Sequence, residues 1–447
     1  MALRAFLVVI VGVVAANAGG IQWQVCPHSA DPLMECGRLA VPLDHLDPSN
    51  PATIEIALQR YRTTLPSKGT ILVNPGGPGS SGLSLARPEF LVLTGGEYDI
   101  LGFDPRGVGA SQAALCTQTV YTGIQDARSL KAKPVPFEEP GGETSIDRYA
   151  VDYALQVKRC ERFDGKLLKY LSTSYVARDM DAIRAALGEQ VLHYYGISYG
   201  TFLGLTYVNM FPDRVGRIVI DSALDPQLYL GPTPALMSKS ATAQDAVFEG
   251  FCKACEAAGA QFCPLATESL SVSQRLRSFF KQVAAMPLIL SAGDDWTSIS
   301  SQEIRQQVFD SMEAPSRWPQ LADLLQSYLN GTATSPARPA SCQAEATTLY
   351  SGEDVEWGIY VANDGDNSAT TAQDWEDHLK LIQMISPLFG GAWFVQALFA
   401  KFWTIRPVER YVGPWNNTLR SRILILNNEK DPETQLEGAQ AVAAALG

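Results

Sequence analysis

The stretch VLHYYGISYGTFLGLTYV, residues 191–208, decides the fold. Val191 to Tyr195 is β-prone and stops at Gly196, while Thr201 to Val208 is apolar and winds as a helix. Between them Ser198 has Gly196 two residues before it and Gly200 two residues after it. A strand, a sharp turn and a helix around G-x-S-x-G make the setting of a nucleophile elbow, in which the serine hydroxyl stands exposed above a sheet. So tight a turn strains the serine backbone and drives the flanking positions against the neighbouring strand and helix; glycines remove those collisions. A bare G-x-S-x-G also recurs by chance as a glycine-rich turn with a surface serine, so the rest of the chain must decide.

Outward from the elbow, strand and helix signals alternate. TIEIALQR (53–60) alternates as a strand, and GTILVN (69–74) and YDILGF (98–103) are short apolar runs of the buried parallel type. YVARDMDAIRAAL (175–187) has helical periodicity and stops at Gly188. RIVI (217–220) and RILIL (422–426) read as further strands, and Glu437 to Leu446 as a closing helix. This order predicts an α/β fold: a mostly parallel sheet with helices on both faces. From about Gln227 to Asn416 the pattern is mainly helical, with few strand candidates. The expected organisation is therefore a leader at 1–18, a first part of the core at 19–226, an inserted helical cap at 227–415 and a C-terminal part of the core at 416–447.

With 447 residues, 46% hydrophobic and 18% charged, the chain has globular composition and ample length for a large core. A formal net charge of -12 and the absence of a basic block argue against nucleic acid as a partner. MALRAFLVVIVGVVAANAGG opens with one Arg, a short apolar run and Ala16-Asn17-Ala18, the pattern of a secretory signal cut after Ala18. The run is too short to span a bilayer, so no stable membrane association is expected. Eight cysteines in a secreted chain predict disulfides, with Cys26–Cys36 the most plausible local pair. C-K-A-C at 252–255 stands without a second such motif or a His pair, so a structural role is expected over redox or metal chemistry. No metal or other cofactor is expected. Asn330 and Asn416 are glycosylation sequons.

A serine nucleophile needs an oxyanion hole, an orienting acid and a base. The backbone N–H of Tyr199, just after Ser198, supplies one oxyanion donor. The second is expected from NPGGPGSSG (74–82), straight after a buried strand, with Gly77 the first choice and Gly76 the second. Two acids end strands beyond the elbow, Asp221 and Asp431, and Asp431 is preferred.

These segments together carry a resemblance. NPGGPGSSG (74–82), DPRGVGAS (104–111), GISYGTFLG (196–204), FPDRVGRIVIDSALDP (211–226) and DPETQLEGA (431–439) resemble, in the same order, the secreted tripeptidyl aminopeptidases and proline iminopeptidases of the α/β-hydrolase superfamily. The resemblance covers almost the whole chain after the leader. It implies Ser198 as nucleophile, Asp431 as triad acid, an oxyanion hole from the glycine loop and Tyr199, and a helical cap over the site. It also implies a peptide substrate whose free amino terminus is received by an acidic cap residue. Glu353, Asp354, Glu356, Asp364 and Asp366 are candidates, with Asp364 the choice.

The sequence departs from that family in two places. Gln435 stands where the family has a proline after D-P-x-T, and no histidine follows Asp431. The four histidines are His28, His45, His193 and His378, none in the family's position. Either the sequence stops before the last strand, helix and histidine, or the chain is a hydrolase relative that no longer works as one; the first is the expectation. The resulting reading is a secreted serine exopeptidase that releases short peptides or residues from free N-termini. The alternatives are an esterase of the same fold and a non-catalytic binding protein. Dehalogenases and epoxide hydrolases of this fold need a carboxylate nucleophile, which Ser198 excludes.

Overall fold

The computed structural model describes residues 20–116, 145–267, 269–292, 295–333 and 353–447. The leader expected at 1–18 and Cys342 lie outside these residues. Eight strands form one sheet in the order β1-β2-β3-β5-β4-β6-β7-β10. They are β1 (Gln24–Val25), β2 (Met34–Pro42), β3 (Thr53–Tyr61), β4 (Thr70–Asn74), β5 (Asp99–Phe103), β6 (Leu192–Ile197), β7 (Val215–Asp221) and β10 (Ile423–Leu426); β8 (Leu288–Ala292) and β9 (Asp295–Ile299) pair separately. From β5 through β4, β6 and β7 to β10 every pairing is parallel. At the other end β1, β2, β3 and β5 pair antiparallel. β1 and β2 are additions to the sequence reading. In β2, Leu39 and Val41 point into the core while Arg38 and Ala40 face out, an alternation too short to stand out beside Gly37 and Pro42.

Two helices set the elbow strand in place. Helix α1 (Thr173–Ala186) precedes β6, and helix α2 (Tyr199–Met210) follows it directly. α2 is apolar on every side because it is buried along almost its whole length, so it shows no amphipathic stripe. Tyr194, Phe202, Leu203, Tyr207, Ile218 and Ile220 pack with Leu72, Leu101 and Phe103 in the main core. The register aligns the strand ends: Asn74 lies beside Gly196, Ile197 beside Asp221, and Asp221 beside Leu426. The loops after β4, β6, β7 and β10 therefore meet at one edge, the carboxyl end where α/β sheets place their chemistry.

Between β7 and β10 the chain builds two groups of helices. Helices α3 (Gln244–Ala258), α4 (Val272–Ala285), α5 (Ser301–Met312) and α6 (Trp318–Leu329) enclose a core of their own around Phe248, Phe251, Phe280, Val308 and Leu325. Helices α7 (Glu353–Asp364) and α8 (Ala372–Ile385) instead pack into the main core through Ile359, Tyr360, Trp375 and Ile382. The β8–β9 hairpin is an addition to the mainly helical reading of this stretch. Its alternation is confined to Leu290 and Ile299 turned inward against Ile289 turned outward, too little to register as a strand pair.

Disulfides join Cys26 to Cys36, Cys116 to Cys160 and Cys255 to Cys263. Cys255 is thus bonded outside the C-K-A-C stretch. Cys252 is buried, and burial pushes its thiol up to about 12, the opposite of a redox-active pair. Cys26, His28 and Cys36 lie close together, but the disulfide removes both thiolates as metal ligands. Among the described residues no helix is long and apolar enough to cross a membrane.

Candidate active site

Ser198 occupies the turn between β6 and α2 with φ 54° and ψ −122°, a backbone setting that non-glycine residues rarely adopt. Hydrogen bonds hold it there. Its N–H donates to the carbonyl of Asp221 (3.0 Å), and its carbonyl accepts from the N–H (2.8 Å) and hydroxyl (2.6 Å) of Thr201. The flanking glycines are required by contact. A Cβ on Gly196 would stand 2.3 Å from the carbonyl oxygen of Gly200, and one on Gly200 would stand 2.8 Å from that of Asn74.

The glycine loop after β4 lies on this turn. Asn74 Oδ1 accepts from the N–H of Gly76 at 3.0 Å. A Cβ on Gly76 would meet the Ile197 carbonyl at 2.6 Å and both Ser198 Cβ and the Tyr199 amide nitrogen at 3.0 Å. Gly76, the second choice from the sequence, is therefore the loop residue packed on the elbow. Gly77 follows it, also at positive φ (103°). At the far end of the loop Ser81 donates to Asp104 Oδ1 (2.5 Å), and the N–H of Ala110 donates to Asp104 Oδ2 (2.8 Å). Burial raises the Asp104 carboxyl above its ordinary range, against these donors. The two sequence motifs NPGGPGSSG and DPRGVGAS are thus hydrogen-bonded to each other through Ser81 and Asp104. Arg106 in the second is fully buried and forks onto Asp179 at 2.6 and 2.7 Å, with His45 on the same carboxylate at 2.8 Å.

Asp431 is nearly buried and held from two sides. Its Oδ1 accepts from the N–H groups of Glu433 (3.0 Å) and Thr434 (2.8 Å), and its Oδ2 accepts from the Ser222 hydroxyl (3.0 Å). Asp221 is committed elsewhere: its carboxylate accepts from the Tyr195 hydroxyl at 2.7 Å and its carbonyl braces Ser198. A cavity of about 480 Å³ opens between core and insertion. Ser198, Ser222, Asp431 and Glu433 line it from the core, and Val247, Met312, Glu313 and Trp318 from the insertion.

The structure does not bring Asp364 to this cavity. It is buried at the end of α7, where its Oδ1 accepts from the Thr173 N–H (3.1 Å) and its Oδ2 from the Thr173 hydroxyl (2.6 Å). Burial raises its carboxyl to about 6. Glu356 is buried and accepts from the N–H of Gly109 at 3.4 Å; Asp366 is exposed near Arg410. Glu353 and Asp354 begin α7, and their side chains lie outside what is described. Besides Asp431, the acidic groups that line the cavity among the described residues are Glu313 and Glu433, which the sequence reading passed over. Glu433 is the variable residue of D-P-x-T, and Glu313 directly follows the end of α5; neither carries a sequence signal. Burial, then repulsion from Glu313, Asp431 and Asp310, pushes Glu433 well above the usual carboxylate range.

Among the described residues no histidine lines the cavity. His28 bonds Gln59, His45 bonds Asp179, His193 accepts from the N–H of Arg217, and His378 bonds Ser238.

Residues 69–446 match the family described by the alpha/beta hydrolase fold. Over 245 residues, 53% of this chain and 43% of the relative, the sequence is 35% identical to the tripeptidyl aminopeptidase of Streptomyces coelicolor. It is 34% identical over 290 residues to the serine protease Hip1 of Mycobacterium tuberculosis, covering 60% of this chain and 53% of that one. A carboxylesterase B of Mycobacterium tuberculosis is 28% identical over 432 residues, 92% of this chain and 78% of the relative. The chain spans about half the length of the two peptidases it matches. With the elbow between β6 and α2, the glycine loop against it and Asp431 beyond β10, the family match makes the assignment plain: the chain belongs to the α/β-hydrolase family.

Proposed function

We propose that the protein is a secreted serine exopeptidase that acts at free N-termini through an acyl-enzyme on Ser198. The observation that carries this reading is the strained Ser198 turn sharing one cavity with a fully hydrogen-bonded Asp431. In this reading Ser198 Oγ attacks the scissile carbonyl. The N–H groups of Tyr199 and Gly77 receive the developing oxyanion, and Asp431 orients an imidazolium. The proton from Ser198 needs an acceptor, and the cavity-lining residues include no histidine, so turnover requires an imidazole brought to the cavity. Three disulfides support an oxidising compartment. Asn330 and Asn416 are both exposed, as glycosylation requires.

Glu313 and Glu433 are the groups suited to the substrate's ammonium, in place of Asp364. The raised proton affinity of Glu433, which burial and the neighbouring Glu313 produce, is relieved when a cation arrives beside it. Binding then releases a proton, and affinity falls as pH is lowered. Calorimetry with a free tripeptide such as Ala-Ala-Phe and its N-acetyl form tests this without turnover. The free peptide is expected to bind at least about tenfold more tightly, and Glu433→Gln to remove most of that difference. Equal binding of the two peptides, or an unchanged preference in Glu433→Gln, contradicts the assignment and favours the esterase reading, for which the apolar wall of Val247, Met312 and Trp318 is the supporting observation.

A further inference from the structure

Asp364 stands away from the cavity, yet it is tied to the elbow by an unbroken chain of contacts. Its Oδ2 accepts from the Thr173 hydroxyl (2.6 Å), and that hydroxyl is 2.5 Å from the hydroxyl of Tyr199, the residue immediately after Ser198. All three side chains are buried. The chain crosses from the insertion to the core, because Asp364 ends α7 while Thr173 starts α1 and Tyr199 starts α2. The Tyr199 ring is wedged among Phe202, Tyr229 and Tyr360 at centroid distances of 5.8 to 6.3 Å. A ring so held passes a change at its hydroxyl on to its own backbone.

Proton counting makes the direction of the chain depend on Asp364. An ionised carboxylate only accepts, so the Thr173 hydroxyl must donate to it and the Tyr199 hydroxyl must donate to Thr173. A protonated Asp364 can instead donate to Thr173, which then donates to Tyr199, and the Tyr199 proton must turn elsewhere. The neighbouring rings carry the acceptors it can turn to: the Tyr360 hydroxyl donates to the carbonyl of Arg106 and keeps its oxygen free to accept, and the Tyr229 hydroxyl is buried with no hydrogen-bond partner among the described residues. Arg410 faces Asp364 from the last part of the insertion, but it donates to the carbonyl rather than the carboxylate. Asp366 stands near Arg410, and Arg106, Asp179 and Glu356 act on the Tyr360 ring beside Tyr199.

We propose that Asp364 is a positioning residue for the elbow: acting through Thr173, it sets the orientation of Tyr199 and thereby of the Tyr199 N–H. The inference rests on reading that N–H as an oxyanion donor, but its test does not need turnover. Protein labelled with ¹⁵N-tyrosine carries 16 tyrosines, and Tyr199→Phe identifies the Tyr199 amide signal. That signal is expected to shift with pH with a midpoint near the Asp364 value of about 6. Asp364→Asn and Thr173→Val are expected to abolish the step, and Thr173→Ser, which keeps the hydroxyl, to retain it. A purely packing role predicts no such pH step and no rescue by serine. A Tyr199 signal that does not titrate, or one that titrates unchanged in Thr173→Val, overturns the proposal. Thr173→Val and Thr173→Ser decide the matter even if Asp364→Asn does not fold. Failure of Ser198 to react with an active-site probe would instead defeat the nucleophile reading and leave this result standing.

Discussion

At the scale of single residues, the chain retains acids, Asp104, Asp364 and Glu433 among them, whose charge burial penalises. Asp364 is the clearer case. Its folded value of about 6 lies above the ordinary 3.8, so the folded state holds its proton more tightly than the unfolded state. The stabilising contribution is complete below about pH 4 and disappears as pH rises through 6. Measured against Asp364→Asn, wild-type stability should therefore fall by up to about 3 kcal/mol between pH 4 and pH 7.5. Urea denaturation across that range checks it; a flat difference, or one that grows with pH, contradicts the account. A group held at that cost suits a role other than stability. The candidate catalytic residues were legible at this scale because each follows a strand end in a recognisable motif. Glu313, Glu433 and Thr173 were not, because their roles depend on contacts between residues far apart in the chain.

At the scale of elements, the elbow works because two strands, β4 and β6, and helix α2 approach more closely than side chains permit. Gly200 shows this most simply. Its missing Cβ faces the backbone carbonyl of Asn74, which cannot turn aside as a flexible side chain can. Gly200→Ala should therefore separate β4 from the start of α2 and cost about 1–3 kcal/mol, the usual penalty of overpacking a core. It should also loosen the glycine loop, since Asn74 Oδ1 holds Gly76. Thermal or urea denaturation reads the first effect; a variant as stable as wild type would mean that the contact is softer than described. The parallel strands were legible because each is a short apolar run closed by a turn. β1, β2 and the β8–β9 hairpin were not, since each depends on partners that the local pattern does not reveal.

At the scale of the whole molecule, the parallel strands bring four loops to one sheet edge and the insertion closes a cavity over them. Element order was enough to anticipate the parallel sheet, whereas a cap over the site was an expectation drawn from the family resemblance. Neither showed which carboxylates face the cavity, because a cap's inner surface follows from how its helices pack and not from their periodicity. The central claim is that Ser198 is a nucleophile in a prepared site that needs only a base. Its most direct measurement is mass spectrometry of the chain after exposure to a fluorophosphonate, with and without added imidazole. The account predicts a single adduct on the Ser198 peptide, forming slowly alone and faster in proportion to imidazole, and absent from Ser198→Ala. Loss of a serine nucleophile elsewhere costs roughly 10⁶ in kcat, so no residual labelling at the same rate is expected. Labelling that persists in Ser198→Ala, or wild-type protein that takes no label even with imidazole, would contradict it.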